Sequence, residues 1–111
     1  MRTIVAGSRT ITEYCQVVQA IENAPWQVTV ILSGTAKGVD SLGERYAREK
    51  GLVLERYFPN WARFGSSAGF IRNEEMAGLA DALVAIWDGR SKGTANMINL
   101  ARIYKLRIHV V

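Results

Sequence analysis

ILSGTAKGVDSLG, residues 31–43, starts as an apolar run, breaks into glycine, threonine, lysine and aspartate, and then turns amphipathic. This is a strand handing over to a helix through a small, polar, conformationally free loop. Val28 to Leu32 is apolar except for Thr29, as suits a strand buried on both faces. Val39, Leu42, Tyr46 and Ala47 then recur at helical spacing, and Gly51 ends the helix. A polar, glycine-rich hinge between two such elements invites an anion, because the helix beyond it begins with unpaired N–H groups.

Working outward, the same alternation covers the chain. Thr3-Ile4-Val5-Ala6 reads as a short strand. Tyr14, Val17, Val18 and Ile21 mark a helix, with Thr10 and Glu13 spaced as a capping box and Asn23-Ala24-Pro25 as its stop. Val53 to Phe58, with Glu55 and Arg56, suits an edge strand that Pro59-Asn60-Trp61 breaks. Ala68, Ile71, Arg72, Met76 and Leu79 outline a third helix. Ala82 to Trp87 is wholly apolar. Met97, Ile98, Leu100, Ala101 and Tyr104 give the last helix, and Arg107 to Val111 a closing strand. The order βαβαβαβαβ predicts an α/β fold: a three-layer, Rossmann-like sandwich whose parallel sheet has helices on both faces. Placing the two apolar strands inside and the third at an edge gives the order 3-2-1-4-5. Residues 1–111 are expected to form one domain.

Composition sets the bounds. Hydrophobic residues make up 49% and charged residues 22%, an ordinary globular balance. No apolar run approaches membrane-spanning length, and no secretory signal is expected before the first strand. The single cysteine, Cys15, excludes an internal disulfide and makes no metal site; it is expected as a buried thiol on the first helix. A reducing, cytoplasmic setting follows. The net charge of +4 fits an anionic ligand or nucleic acid, but the basic residues are scattered rather than clustered.

In an open parallel sheet, ligands bind at the carboxyl ends of the strands, near the point where strand order reverses. The unusual residues fall in the loops that open there. They are Gly7, Ser8 and Arg9 after strand 1, Ser33, Gly34, Thr35, Ala36, Lys37, Gly38 and Asp40 after strand 2, and Asp88, Gly89, Lys92, Gly93 and Thr94 after strand 4. Glycine admits positive φ and close backbone approach, and hydroxyls and cations add donors. Gly34–Gly38 and Gly93-Thr94 therefore read as phosphate cradles, with Arg9 as a bidentate phosphate partner. No G-x-G-x-x-G follows strand 1 and no G-x-x-x-x-G-K-[ST] occurs, which argues against a dinucleotide dehydrogenase and a P-loop NTPase.

Four of these segments, GSR (7–9), SGTAKGVD (33–40), IRNEEMA (71–77) and WDGRSKGTANMI (87–98), resemble the SLOG superfamily, and within it the small stand-alone branch related to YspA and YpsA. The similarity covers essentially the whole chain. The resemblance implies a Rossmann-like fold and a nucleotide or nucleotide-derived ligand, in some members as a sensor in nucleotide signalling or phage defence. It also implies a cleft-facing role for Arg72 and Asn73, and an oligomeric state. SGTAKGVD is similar to a stretch of the single-strand DNA-binding protein DprA. Gly93 and Thr94 match the P-G-G-x-G-T-x-x-E signature of the LOG phosphoribohydrolases, but Met97 stands where that family carries its catalytic glutamate.

Several residues keep two readings. Ser33, Thr35 and Thr94 donate to phosphate or cap helices. Lys37 and Lys92 contact the ligand or stay solvated. Asp40 caps its helix or orients the glycine loop. Asp88 binds a ribose hydroxyl, serves as a base, or shapes the turn with Gly89. From spacing alone Arg72 shares the apolar face of its helix and pairs with a carboxylate there. Trp61, Phe64 and Phe70 stack a base or pack against a second subunit. Trp87 is core and His109, far from the cleft, is structural. The expectation is a binding protein for a nucleotide-derived small molecule, a sensor or sequestering module, with no cofactor or metal required, no assigned catalytic residue and a homo-oligomeric state. The alternatives are a nucleoside-phosphate N-glycosidase and, ranked last, a DprA-like binder of single-stranded DNA.

Overall fold

Strands and helices follow one another along all the residues Met1–Val111 described by the computed structural model. The elements are β1 (Arg2–Gly7), α1 (Tyr14–Asn23), β2 (Val30–Ser33), α2 (Val39–Glu49), β3 (Val53–Arg56), α3 (Trp61–Phe64), α4 (Ala68–Leu79), β4 (Ala82–Ile86), α5 (Lys92–Ile103) and β5 (Arg107–Val110). The five strands form one parallel sheet in the order β3-β2-β1-β4-β5. The expected α/β architecture and strand order are therefore present. The position of each strand follows its composition. Every residue of β4 is buried, whereas β3 and β5, the edges, are exposed at both ends. No helix is long and apolar enough to cross a membrane.

Side chains alternate across the sheet with period two, so each central strand feeds two cores. Ile4 and Ala6 of β1 face Met76 and Ala77 of α4 and Met97, Ile98 and Ala101 of α5. Val5, between them in sequence, faces Val17, Ala20 and Ile21 of α1 and Val39 and Ala47 of α2. Burial of each large aliphatic side chain contributes roughly 1.5–3 kcal/mol. The helices are thus fixed on both faces, and every strand-to-helix loop emerges at one rim.

Two local expectations are corrected. Helix α1 starts at Tyr14 with Glu13 at the N-cap position and no side-chain cap, so Thr10 and Glu13 form no capping box. The segment after β1 instead folds back over α2: the Ser8 carbonyl accepts from the N–H groups of both Ile11 and Val39, each at 3.4 Å. Cys15 is exposed. The buried stripe of α1 runs through Val17, Ala20 and Ile21, and a residue two positions before Val17 lies on the opposite side. The expected break after β3 also contains one helical turn, α3, capped by Asn60, whose Oδ1 accepts from the Arg63 N–H at 3.1 Å.

Candidate functional site

The loops after β1, β2 and β4 meet α4 around a cavity of about 80 Å³. Arg9 comes from the first loop, Ala36 and Asp40 from the second loop and the first turn of α2. Arg72 and Asn73 come from α4, and Ser91, Gly93 and Thr94 from the start of α5. Met76 and Met97, both 1% exposed, line it from the core side. A groove of about 250 Å³ adjoins the cavity, sharing Arg9, Ala36 and Arg72 with it and adding Gly34, Thr35, Phe58, Pro59 and Trp61. Phe58 and Trp61 are 65% and 53% exposed.

The N-terminus of α5 is organised by the chain itself. Ser91 Oγ accepts from the Thr94 N–H at 3.4 Å and lies 3.1 Å from Thr94 Oγ1. Asp88 Oδ1 accepts from the N–H groups of Ser91 and Arg90 at 2.9 and 2.8 Å, which holds its carboxyl below the usual range. Asp88 is thereby a turn former with Gly89, at φ 81°, and neither lines the cavity. The N–H groups of Lys92 and Gly93 have no acceptor in the protein. A Cβ built on Gly93 would meet nothing within 4 Å.

In the β2–α2 loop, Ser33 points away from the cavity. Its Oγ donates to Glu44 Oε2 at 2.6 Å and accepts from the Thr35 N–H at 3.1 Å. Thr35 has φ 67°, a strained conformation for a β-branched residue, and its Oγ1 donates to the Gly34 carbonyl at 2.6 Å. Gly38, at φ 75°, would place a Cβ 2.5 Å from the Ser8 carbonyl. Ser8 is itself buried, its Oγ accepting from the Asp88 N–H at 3.1 Å. Ser8, Ser33 and Gly38 therefore tie the three loops together and are not among the cavity's lining. Lys37 lies in a separate recess with Thr35, Ser41, Glu44 and Arg56, and Lys92 is exposed outside the cavity.

Asp40, 5% exposed, is the only carboxyl group that lines the cavity. Its Oδ2 accepts from the Ala36 N–H at 3.2 Å, so it orients the loop. Burial pushes its carboxyl up to about 6, against the opposing pull of the Ala36 hydrogen bond and of Arg72 and Arg9. Arg72 is half-buried, and burial lowers its pKa. Its Nε donates to Asn73 Oδ1 at 2.9 Å and its Nη1 to the Gly34 carbonyl, while Nη2 has no partner. Asn73 in turn donates to the Gly93 carbonyl at 3.3 Å and to Asn96 Oδ1 at 2.9 Å, which locks α4 to α5. Five ion pairs occur in the molecule, and neither Arg72 nor Arg9 takes part in one. The expectation that Arg72 pairs with a carboxylate on an apolar face is thus not met. The helix faces the cavity at that position.

Ser91, Ala6 and the groove residues Phe58 and Pro59 were not singled out by sequence reasoning. Ser91 was detectable as a serine three residues before Thr94 at a helix start. Glu74 and Glu75 are exposed and do not line the cavity.

Residues 1–64 match a family model described as YAcAr: YspA, cpYpsA-related SLOG family. The matched span contains the β1 and β2 loops, with Arg9 and Asp40, while Arg72, Asn73, Gly93 and Thr94 lie beyond it. No curated protein matches the chain.

Proposed function

The chain belongs to the YspA, cpYpsA-related SLOG family, and from that premise we propose that it binds a nucleotide or nucleotide-derived ligand at the carboxyl rim of its sheet. One observation carries this reading. Two guanidinium groups without ion pairs, Arg9 and Arg72, flank the same cavity as the free N–H of Gly93, and an aromatic groove continues from it. Preorganised donors of this kind suit a phosphate. Phe58 and Trp61 offer an apolar surface for a base. The domain acts as a sensor or a sequestering module for such a molecule.

Hydrolysis at a glutamate has less support. Met97 lines the cavity, and Glu74 and Glu75 lie outside it. Self-association through exposed Phe64, Phe70 and Ile71 belongs to the same reading.

A thermal-shift screen tests the proposal with nucleoside phosphates, ADP-ribose, NAD, cyclic nucleotides and oligonucleotides. A ligand at a hundred times its Kd adds about 2.7 kcal/mol to folding stability. Stabilisation of the wild-type protein by a nucleotide, lost in Arg72→Met, is the expected result. No stabilisation by any of these compounds overturns the proposal.

A further inference from the structure

Asp40 is out of place in an anion site. Asp40 is 5% exposed, lines the cavity, and its carboxyl uses only Oδ2 within the protein, so Oδ1 has no protein donor. An ionised carboxylate there would oppose the anion that the two arginines attract. The cavity itself is small. At about 80 Å³ it has room for two to three waters at roughly 30 Å³ each, which suits a single phosphoryl group. Met76 and Met97 back it with buried apolar surface, and the adjoining groove leads away past Arg9, Ala36 and Arg72. The ligand therefore enters with one end.

We propose that the cavity receives the terminal phosphoryl group of a phosphate monoester, and that Asp40 meets it as the neutral acid. Its Oδ1–H donates to a phosphate oxygen while Oδ2 keeps the Ala36 hydrogen bond. This rests on the nucleotide-binding reading and narrows it: binding takes up a proton, and a monoester is selected over a diester. No bond is made or broken beyond that protonation. The charged groups facing Asp40 are Arg72 from α4, Arg9 from the loop after β1, and Glu44 one turn along α2. The arginines favour the carboxylate, and Glu44 and burial favour the acid. Burial is the largest of these effects and leaves the carboxyl protonating near pH 6 in the unliganded protein, within reach of a phosphate monoester, whose second ionisation is also near pH 6.

Isothermal titration tests it with the four common nucleoside 5′-monophosphates, the corresponding nucleosides and the 5′-phosphate methyl esters. Titrations are run between pH 7 and pH 8 in buffers of different ionisation enthalpy, so that protons are counted directly. If only the neutral acid binds, the competent fraction and hence the affinity fall about tenfold from pH 7 to pH 8. Nearly one proton is taken up per monophosphate, and the methyl ester binds at least tenfold more weakly. Asp40→Asn keeps an acceptor for Ala36 and presents a permanent donor. It is expected to bind equally at both pH values and more tightly than wild type at pH 8, which a merely structural role for Asp40 would not produce. The proton count is read on the wild-type protein and needs no variant. Monophosphates that bind without proton uptake, or methyl esters that bind as well, overturn this inference and leave the nucleotide reading standing. No binding of any monophosphate at either pH also overturns this inference, whereas the nucleotide reading falls only if the wider thermal-shift screen finds no stabilising compound.

Discussion

Replacing Gly93 with alanine should move stability and binding in opposite directions. Gly93 is the second residue of α5, and a Cβ there would meet no atom within 4 Å, so the fold has no steric need for glycine. Its φ is not in the left-handed region either. Glycine in a helix is less favourable than alanine, so the G93A protein should gain about 0.5–1 kcal/mol. With an unfolding entropy near 2.1 cal/mol/K per residue, a chain of 111 residues gains about 2–4 °C in Tm. Gly93 lines the cavity, however, and carries a free N–H group. A methyl group beside that donor keeps a phosphate oxygen from approaching it. We expect the affinity for a stabilising nucleotide to drop tenfold or more, about 1.4 kcal/mol. Scanning fluorimetry without ligand, then titration calorimetry with it, separates the two effects. A G93A protein that binds as well as wild type would refute the amide-cradle reading. One that melts lower without ligand would refute the description of the cavity wall.

Gly7→Ala should cost about 2–3 kcal/mol in urea denaturation, because its Cβ would overlap the Ile86 carbonyl oxygen and lie 2.7 Å from Val39 Cγ2; a change below about 0.5 kcal/mol would count against this packing. Glu55 is held down to about 2, mainly by the hydrogen bonds that Arg2 donates at 2.8 and 2.7 Å and by the Tyr57 hydroxyl at 2.7 Å. Its folded pKa lies below the ordinary 4.5, so its contribution is present above about pH 4.5 and disappears as the pH falls towards 2. Glu55→Gln should therefore flatten the loss of stability between pH 5 and pH 2, and an unchanged acid limb in denaturation experiments would contradict the assignment.

The sheet order was legible because burial leaves a compositional trace. Ala82–Ile86 had no polar residue to show to water, and Glu55 and Arg56 could only sit at an edge. The position of the cavity followed from topology. What each loop residue does there was not legible, because it depends on where a side chain points once the loops have met. Ser33 and Thr94 read alike in sequence, yet one bonds Glu44 and the other lines the cavity. Gly38 and Gly93 also read alike. The first is required by the Ser8 carbonyl 2.5 Å from its missing Cβ, and the second is required by nothing in the protein. Thr10 and Glu13 had the spacing of a cap, but the turn after β1 was already committed to α2 through the Ser8 carbonyl.

That distinction, between residues the fold needs and residues it leaves unsatisfied, also bears on the charge of the proposed ligand. Elsewhere three glutamates are matched to arginines: Glu55 to Arg2, Glu49 to Arg45, and Glu44 to Arg48 and Arg56. Arg72 is more deeply buried than the exposed Arg45, Arg48 and Arg56, and yet it donates only to the neutral oxygens of Asn73 and Gly34. Withdrawing a cation from water without a counter-ion is unfavourable. The one carboxyl group that could compensate, Asp40, is itself raised towards the neutral form by burial. On the proposed reading, a site that keeps its cation half-buried and its acid within reach of protonation gains most from an anion brought by another molecule. The proposed selectivity then comes from how many negative charges that molecule can place beside a single proton.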